Sequence, residues 1–427
     1  MPLNALLDPA QCFFDVNLLP IPAYLVGGAV RDALLGRKRD YLDLDFVLPD
    51  RAIETAKTIA NHYQAGFVIL DQKRAIARVV FPQGTLDFAQ MEGATIEQDL
   101  QRRDFRINAI AYNPHTKEII DPLHGCQDLE QQLIRMVSVP NLQDDPLRLL
   151  RAYRQSAQLG FGIDAATQEA IVSLAPHLAL VAAERVQMEL GYLLLHPQGT
   201  DQLQQVITQG LVATWLPETM INHGKFLSEI TKSLHLLQEK WLELEEVYNR
   251  PIDQGSGYTW LSLAKLATLV SPRAEIAQQQ LTKLKYSREV LRGITTILRG
   301  ADQWQNQAQG QNQGQRQLSV RSQYFLFQLL GKYFPAWLLL ILSQGVELSV
   351  LITLIEAYLD PHSSIAHPRP LIDGKALMAN LGIPPGKLVG HLLQEIIIAQ
   401  AEGGVSTLKE AVELAKEIIF IENLKKN

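Results

Sequence analysis

The spacing of apolar residues changes near Gln143, and this change constrains the fold more than any other feature of the chain. Before it, short apolar runs alternate with helical stretches. Residues 42–48 place carboxylates and apolar side chains in alternation, which is typical of a strand with one solvated face. After it, apolar residues recur at helical spacing and strand signals are nearly absent. We therefore predict a mixed α/β head followed by an all-helical remainder.

The same periodicities predict the individual elements. In the head we expect a helix at 29–35, which Gly36 ends, and another at about 51–62. Strands are expected at 24–26, 42–48, 67–70, 77–81 and 85–88. Beyond Gln143, helices are expected at 147–159, 165–174, 182–195 and 200–211.

Composition excludes several classes of protein. The chain has 427 residues, 47% of them hydrophobic, so two to four domains are expected. A formal net charge of −6 excludes a strongly basic nucleic-acid coat, although it does not exclude a local basic patch. The two cysteines, Cys12 and Cys126, form neither a disulfide framework nor a zinc site, so a reducing cytoplasm is expected.

Two further segments bear on the environment of the chain. The longest uncharged apolar stretch, 333–346, is shorter than the roughly 18 residues that span a bilayer, so it predicts a buried core helix. The N-terminal residues lack the basic region of a secretory signal, and we expect a soluble protein with no membrane contact. The polar run 303–317 predicts a mobile loop, with an RNA-contacting loop as the alternative.

The pair Asp43 and Asp45 is the sharpest chemical feature. Residues two apart on a strand point to the same face, where two carboxylates repel unless a cation lies between them. Mg²⁺ takes such oxygen ligands together with substrate phosphates. Asp87, on a later strand, is a candidate third carboxylate. The alternatives are two solvated acids on an edge strand and an ordinary strand acid at Asp87.

A glycine turn precedes this pair. Gly27 and Gly28 lie where a strand gives way to a helix, and their backbone can approach a phosphate closely. Arg31, one turn into the helix, can add a charge-assisted contact. A simple structural turn is the alternative.

Four motifs now resemble a known family. They are residues 25–36 with the pair at 43–45, then 102–109, then 121–125 with 128–129, and finally 144–154. In order and spacing they resemble class II tRNA nucleotidyltransferases and bacterial poly(A) polymerases. The likeness covers roughly residues 20–165, and a weaker likeness returns at 371–404.

The resemblance implies an architecture. It predicts a nucleotidyltransferase head with a polymerase-beta-like palm at 1–140 and a helical neck with a nucleotide-selecting helix at 141–215. A helical body at 216–345 and a tRNA-binding tail at 346–427 would follow. The implied reaction is transfer of CMP from CTP to the 3′ end of tRNA, with Mg²⁺ as cofactor and the use of ATP left open.

The resemblance also implies residue roles. Asp43 and Asp45 would bind the metal and, with Asp87, form the catalytic set. The glycine turn and Arg31 would hold the triphosphate, and Arg103 and Asp104 would meet ribose and phosphates. The nucleotide-binding set is Gly27, Gly28, Arg31, Arg103, Asp104, Asn108, Asp145, Arg148, Arg151 and Arg154.

The fourth motif carries the selection of the base. Asp145, Arg148, Arg151 and Arg154 recur every three residues and are predicted to form a stripe along one helix. The resemblance implies that the leading Asp and Arg pair with the edge of the incoming base. A solvated basic helix face is the alternative.

Three departures from the family pattern stand out. The fourth motif begins with Asp144 where the family usually has Glu, and Arg106 replaces a usual Thr. The segment between Asp87 and Arg102 is short, which resembles enzymes that add only CC and leave the A to a separate enzyme. No His-Asp dipeptide occurs, so an appended phosphohydrolase domain is not expected.

Other functions remain as alternatives: a full CCA-adding enzyme, a poly(A) polymerase and an inactive RNA-binding scaffold. In the preferred interpretation, a local basic strip would bind tRNA by its shape and backbone. The candidates for this strip are Lys283, Lys285, Arg288 and Arg292, with ordinary surface charge as the alternative.

Overall fold

The structure, a computed structural model, describes residues 13–38, 41–217, 221–308 and 318–426. The chain divides into two compact units, Met1–Pro217 and Glu218–Asn427. Cys12 lies outside the described residues.

The first unit contains a mixed sheet. Its strands are β1 (Tyr24–Val26), β2 (Leu42–Leu48), β3 (Gly66–Asp71), β4 (Ile76–Phe81), β5 (Gly84–Gln90), β6 (Ala111–Asn113) and β7 (Glu118–Ile120). Their order in the sheet is β3-β4-β5-β2-β1-β6-β7. Strand β2 pairs in antiparallel fashion with β1 and in parallel with β5. The five predicted strands are confirmed within two residues at each end. A separate pair, β8 (Leu133–Ile134) and β9 (Gly162–Ile163), is parallel.

Nine α-helices lie in the described part of this unit. They are α1 (Gly28–Leu34), α2 (Ala52–Tyr63), α3 (Ile96–Leu100), α4 (Gly125–Glu130), α5 (Val139–Asp144), α6 (Leu147–Leu159), α7 (Ala165–Leu174), α8 (Ala183–Leu195) and α9 (Gly199–Thr208). Helix α9 ends three residues before its predicted end, and the other predicted helices agree within one residue.

The two faces of β2 differ as its alternation predicts. Leu44, Phe46 and Leu48 are buried, and the ring of Phe46 stacks on Phe88 of β5 with centroids 5.6 Å apart. Burial of each such side chain stabilises the fold by about 1.5–3 kcal/mol. The opposite face carries Asp43 and Asp45, which are exposed.

The start of α6 corrects one prediction. The helix begins at Leu147, after Pro146, whereas Asp145 has an extended backbone with φ −135° and ψ 91°. Asp145 therefore does not share a helix with Arg148, Arg151 and Arg154. A residue before proline is disfavoured in the helical region because its backbone clashes with the ring.

Helices form the main regular structure in the described residues of the second unit, which also contain an isolated β-bridge between Pro251 and Thr259. Its helices are α10 (Ile221–Lys240), α11 (Glu243–Asn249), α12 (Trp260–Leu269), α13 (Ala274–Lys283), α14 (Arg288–Ala308), α15 (Val320–Leu330), α16 (Phe334–Ser343), α17 (Leu348–Leu359), α18 (Gly374–Leu381), α19 (Lys387–Ala401) and α20 (Leu408–Lys426). Every residue of α16 is buried, which confirms the predicted core helix. The mixed head followed by helices is thus the observed fold.

One continuous helical segment among the described residues, Val320–Ser343, has the length and apolar composition of a membrane-crossing helix. In its most apolar window, 72% is buried inside the protein. The core helix of a globular unit shows the same composition.

The expected loop at 303–317 is wrong in its first part. Residues up to Ala308 continue α14, and Trp304 is 2% exposed. Its ring meets that of Trp337 edge to face, with centroids 5.7 Å apart. This buried aromatic contact offsets the ordering cost of the polar neighbours. Residues 309–317 lie outside the described residues.

Candidate active site

The exposed face of β2 brings three carboxylates together. Asp43 and Asp45 lie on β2, and the parallel register places Asp87 of β5 directly opposite Asp45. The hydroxyl of Thr85, opposite Asp43, donates to Asp43 Oδ1 over 2.7 Å. This bond fixes one oxygen of Asp43 and orients its carboxylate.

Asp87 is held by an arginine that the sequence did not single out. Arg78 of β4 donates from Nε and Nη2 to the two oxygens of Asp87, each over 2.7 Å. The two residues are paired in the register of β4 and β5. Asp87 thus lies beside the other two carboxylates with its charge balanced by Arg78.

Asp45 is a weaker acid than an ordinary aspartate. Desolvation of the carboxylate, together with the negative charges of Asp87 and Asp43, raises its pKa to about 6. The positive charges of Arg103 and Arg78 oppose this rise. Three crowded carboxylates on one face of the sheet create a demand for a cation.

The glycine turn approaches Asp45 closely. Gly27 has φ +75°, a conformation that L side chains rarely adopt. A Cβ at Gly27 would lie 3.4 Å from Asp45 Oδ2 and 3.4 Å from Arg103 Nη1, and Gly28 begins α1. The backbone therefore passes beside the carboxylate and the guanidinium without a side chain between them.

Arg103 faces the same space. Its Nη2 donates to Asp99 over 3.2 Å, whereas its Nε is buried and has no hydrogen-bond partner in the described part of the chain. A buried donor of this kind is costly unless an acceptor reaches it. The site thus retains a donor suited to an anionic ligand.

Arg31 is buried in a polar network. It donates to Asp32 (2.9 Å), to Asn108 Oδ1 (2.8 Å) and to Gln155 Oε1 (3.3 Å). Asn108 in turn donates to Gln155 and to Asp104, both over 2.9 Å. The network joins α1, the second motif and α6 beneath the cleft.

Asp104 is the acidic centre of that network. Burial alone would raise its pKa, but the charge of Arg151 and hydrogen bonds from Asn108, Arg151 and the Phe105 amide lower it to about 2. The carboxylate is therefore ionised at neutral pH and holds Arg151 against the wall of the cleft.

Arg154 is held in a different way. Its Nε donates to Glu189 over 2.6 Å, Nη1 donates to Gln158 over 2.9 Å, and the guanidinium lies over the ring of Tyr192 at 5.4 Å. Glu189 is buried, so the arginine is anchored from α8.

Asp145 and Arg148 are placed differently from the rest of their motif. Asp145 pairs with Arg185 at 2.8 Å, and Arg148 donates to the carbonyl oxygens of Arg102 and Asn141, each over 3.0 Å. Neither side chain lines the cleft that contains Arg151 and Arg154. Their predicted contact with the base remains a prediction.

A cleft of about 930 Å³ collects most of the predicted residues. Its predicted lining residues are Gly27, Gly28, Arg31, Asp43, Asp45, Arg103, Asp104, Asn108, Arg151 and Arg154. Sequence reasoning missed seven polar ones: Asp32, Arg37, Lys38, Gln83, Gln155, Gln158 and Tyr192. For Gln155 and Gln158 a signal existed, since each follows an arginine of α6 by four residues and shares its face. The alternation of acids and cations suits a metal-bound polyphosphate.

The carboxylates can supply only part of the coordination of a magnesium ion. Within the described ranges, no group of three or more His, Cys, Asp or Glu side chains has a metal-binding arrangement. Asp43 and Asp45 supply two carboxylates on one face, and Mg²⁺ usually takes one or two carboxylates with waters and substrate phosphates. The donor set therefore fits an ion that is completed by the substrate.

The four basic residues that were predicted to bind tRNA lie close together in the sequence of the second unit. Lys283 ends α13, Lys285 follows it, and Arg288 and Arg292 lie in the first turns of α14. All four are exposed.

Comparison with known proteins gives matches along most of the chain. The family model described as "Poly A polymerase head domain" matches residues 23–135. "Probable RNA and SrmB- binding site of polymerase A" matches 160–221, and "tRNA nucleotidyltransferase domain 2 putative" matches 259–415. A CC-adding tRNA nucleotidyltransferase of Synechocystis sp. is 45% identical over 98% of this chain and 99% of its own. The chain belongs to the tRNA nucleotidyltransferase family.

Membership of the tRNA nucleotidyltransferase family confirms the resemblance carried by the four motifs, and the protein is a nucleotidyltransferase. A CC-adding tRNA nucleotidyltransferase of Geobacter sulfurreducens is 33% identical over 91% of this chain and 90% of its own. An A-adding tRNA nucleotidyltransferase of Deinococcus radiodurans is 31% identical over 92% of this chain and 95% of its own.

Solved structures share the fold of this tRNA nucleotidyltransferase. The complex of a CCA-adding enzyme with CTP has a TM-score of 0.72 at 22% identity, over 94% of this chain and 91% of that chain. The Thermotoga maritima CCA-adding enzyme complexed with tRNA has a TM-score of 0.68 at 22% identity, over 93% and 91%.

Proposed function

We propose that this protein adds CMP residues from CTP to the 3′ end of tRNA and stops at CC. The reaction is attack of the terminal 3′-hydroxyl on the α-phosphate of CTP, with pyrophosphate leaving. A separate A-adding enzyme would then complete the CCA end, and the cytoplasm is the proposed location.

The observation that carries the CC specificity is the connection between β5 and α3. It comprises only residues 91–95, and its backbone is tied down by side chains of the helix that follows. The amide of Glu92 donates to Asp99 over 3.1 Å, and the amide of Ala94 donates to Gln98 over 2.8 Å. Arg102 forms an ion pair with Glu92.

A short, tied connection has little freedom to change shape. The family resemblance links a longer, flexible segment here to the change of the pocket from CTP to ATP. Two of the relatives that match most of this chain are CC-adding enzymes. The length and the hydrogen bonds of 91–95 therefore support a pocket that stays set for CTP.

The cleft residues have distinct roles in this proposal. Asp43 and Asp45 would hold Mg²⁺, and the ion would supply activation of a hydroxyl and neutralisation of phosphate charge. The Gly27–Gly28 backbone, Arg31 and the Arg103 Nε bind the triphosphate. Arg151 and Arg154, anchored by Asp104 and Glu189, form the opposite wall.

Substrate recognition outside the cleft is proposed for the second unit. Lys283, Lys285, Arg288 and Arg292 would bind the phosphates of tRNA, since four exposed cations occur within ten residues. Such contacts recognise shape and backbone rather than sequence.

The test uses tRNA that ends at the discriminator base. The purified protein is incubated with CTP alone, with ATP alone, and with both, and the 3′ ends are sequenced. We expect two C residues with CTP and no further residue when ATP is added. Addition of one A after CC would identify a full CCA-adding enzyme, and long A tails on unrelated RNA would identify a poly(A) polymerase.

A further inference from the structure

Different side chains lie on the two sides of Asp45 in the sheet. On the β1 side lie Gly27 and Arg103, which belong to the cleft. On the β5 side lies Asp87, bonded to Arg78. Asp87 and Arg78 are not among the residues that line the cleft. The part of the β5 side around Asp87 and Arg78 therefore lies outside the cleft and borders it at Asp45.

This surface continues across the outer strands of the sheet. The register pairs Asp87 with Arg78 and Arg78 with Val68. Two residues farther along the strands, it pairs Thr85 with Val80. Directly paired residues stand on the same face of a sheet. Val68, Arg78 and Val80, which we call the outer strip, thus extend the face that carries the catalytic carboxylates.

The outer strip is open to solvent. Val68 is 48% exposed and Val80 is 40% exposed. On the opposite face of β4, Ala77 and Val79 are fully buried. Two apolar side chains are therefore accessible to a ligand on this face.

The charge of the outer strip suits a phosphate. The bond to Asp87 uses two of the five N–H groups of Arg78, so three remain, and no other acceptor is bonded to them among the residues described here. The Arg78 side chain is 42% exposed. Lys73 and Arg74, in the turn between β3 and β4, are exposed near the same edge.

The geometry of phosphoryl transfer connects the two sides. The attacking and leaving oxygens lie roughly in line on opposite sides of the phosphorus. In the proposed function the triphosphate lies on the β1 side, where Gly27, Arg31 and Arg103 are located. The attacking 3′-hydroxyl must then arrive from the β5 side.

Building on the proposed function, we propose that the outer strip binds the 3′ end of the RNA that is extended. Arg78 donates to the last phosphodiester, Val80 packs against the terminal nucleoside, and Val68 packs against the nucleotide that precedes it. Arg78 is a positioning residue here, since its bond to Asp87 keeps the guanidinium beside the path of the attacking hydroxyl.

The experiment is a double-mutant cycle in which one change removes the Arg78 side chain and the other removes the charge of the last phosphate of the RNA. Wild type and Arg78→Ala extend two tRNA minihelices, one natural and one with a neutral methylphosphonate as its last linkage. Each single change should raise the KM for RNA about tenfold, as expected for one charge-assisted hydrogen bond. The two changes together should raise it no further, and the KM for CTP should stay unchanged.

A second variant does not disturb Asp87. Val80→Asp places a negative charge on the outer strip and should raise the KM for RNA about tenfold without changing the KM for CTP. The matched control is Ile69→Asp on the opposite face of β3, where Ile69 is 43% exposed. This control should leave both KM values unchanged. Thermal unfolding confirms that each variant is folded.

Two sets of results separate the possible failures. Independent, multiplying effects of Arg78→Ala and the neutral linkage would overturn the outer strip as the RNA site, and so would a rise in the KM for CTP. A wild-type protein that adds no C to tRNA would instead overturn the proposed function. If wild type extends tRNA and Val80→Asp does not change the KM for RNA, the outer strip is overturned as the RNA site and the proposed function stands.

Discussion

Asp104 and Arg151, 47 residues apart in the chain, meet at a single oxygen: both guanidinium hydrogen bonds, of 3.0 and 2.8 Å, end on Asp104 Oδ2. The other oxygen accepts from the Phe105 amide and from Asn108. The buried carboxylate thus holds one wall of the cleft to the second motif.

This pair predicts a dependence of stability on pH. The folded pKa of Asp104, about 2, lies below the ordinary value of 3.8, so its contribution is complete above about pH 4 and is lost as the pH falls towards 2. The contribution to the free energy of unfolding is about 2 kcal/mol. Urea unfolding of wild type and Asp104→Asn at pH 5 and pH 2.5 measures it. The variant should be less stable at pH 5, and a difference that does not shrink at pH 2.5 would contradict the assignment.

Asp43→Ala should abolish CMP incorporation, with a loss of at least about 10³-fold in kcat, because it removes a carboxylate that we propose as a metal ligand. Binding of tRNA should change less than twofold, since only the carboxylate is removed. Single-turnover incorporation and fluorescence anisotropy measure the two quantities. Asp50→Ala, an exposed aspartate just after β2, is the control and should retain full activity.

The connection at 91–95 predicts a sensitivity to small changes. Gly93 has φ +108°, and a Cβ there would lie 2.8 Å from Gln98 Oε1 and 2.9 Å from Gln98 Cβ. Gly93→Ala should therefore lower the free energy of unfolding by about 1–2 kcal/mol. Gly255→Ala, where a Cβ meets nothing within 4 Å, should change it by less than about 0.5 kcal/mol. Equal melting temperatures for the two variants would argue against a tied connection.

Glu189→Gln tests how Arg154 is anchored. The change removes the charge that holds the guanidinium over Tyr192, so the KM for CTP should rise about tenfold while kcat changes less. Steady-state kinetics with saturating tRNA measure this split. Glu184→Gln, on the exposed side of the same helix, should leave both constants unchanged. A fall in kcat alone would place the role of Glu189 elsewhere.

Local patterns were sufficient for much of the head. Alternation along 42–48 predicts both the strand and the common face of Asp43 and Asp45, because the pleat itself sets that geometry. Helical spacing predicts α6 with its observed bounds, and hence places Arg151 and Arg154 one turn apart.

Features that depend on contacts between distant segments were not predictable in this way. The pairing of Arg78 with Asp87 requires the register of two strands, and the place of Tyr192 in the cleft requires the packing of α8 on α6. Trp304 packs on Trp337, which is distant in sequence, so the polar composition around Trp304 predicted a loop where the structure has a helix. The start of α6 did have a local signal, Pro146, which favours the first turn of a helix.

The buried network under the cleft has a consequence for how the protein is made. Arg31 bonds to Asn108, 77 residues later, and to Gln155, 124 residues later. While a ribosome is still producing the chain, Arg31 and Asn108 lack the last of these partners until α6 has emerged. The cleft can therefore reach its final form only after more than a third of the polypeptide has been synthesised. If the cleft binds CTP as proposed, shorter nascent chains should bind none.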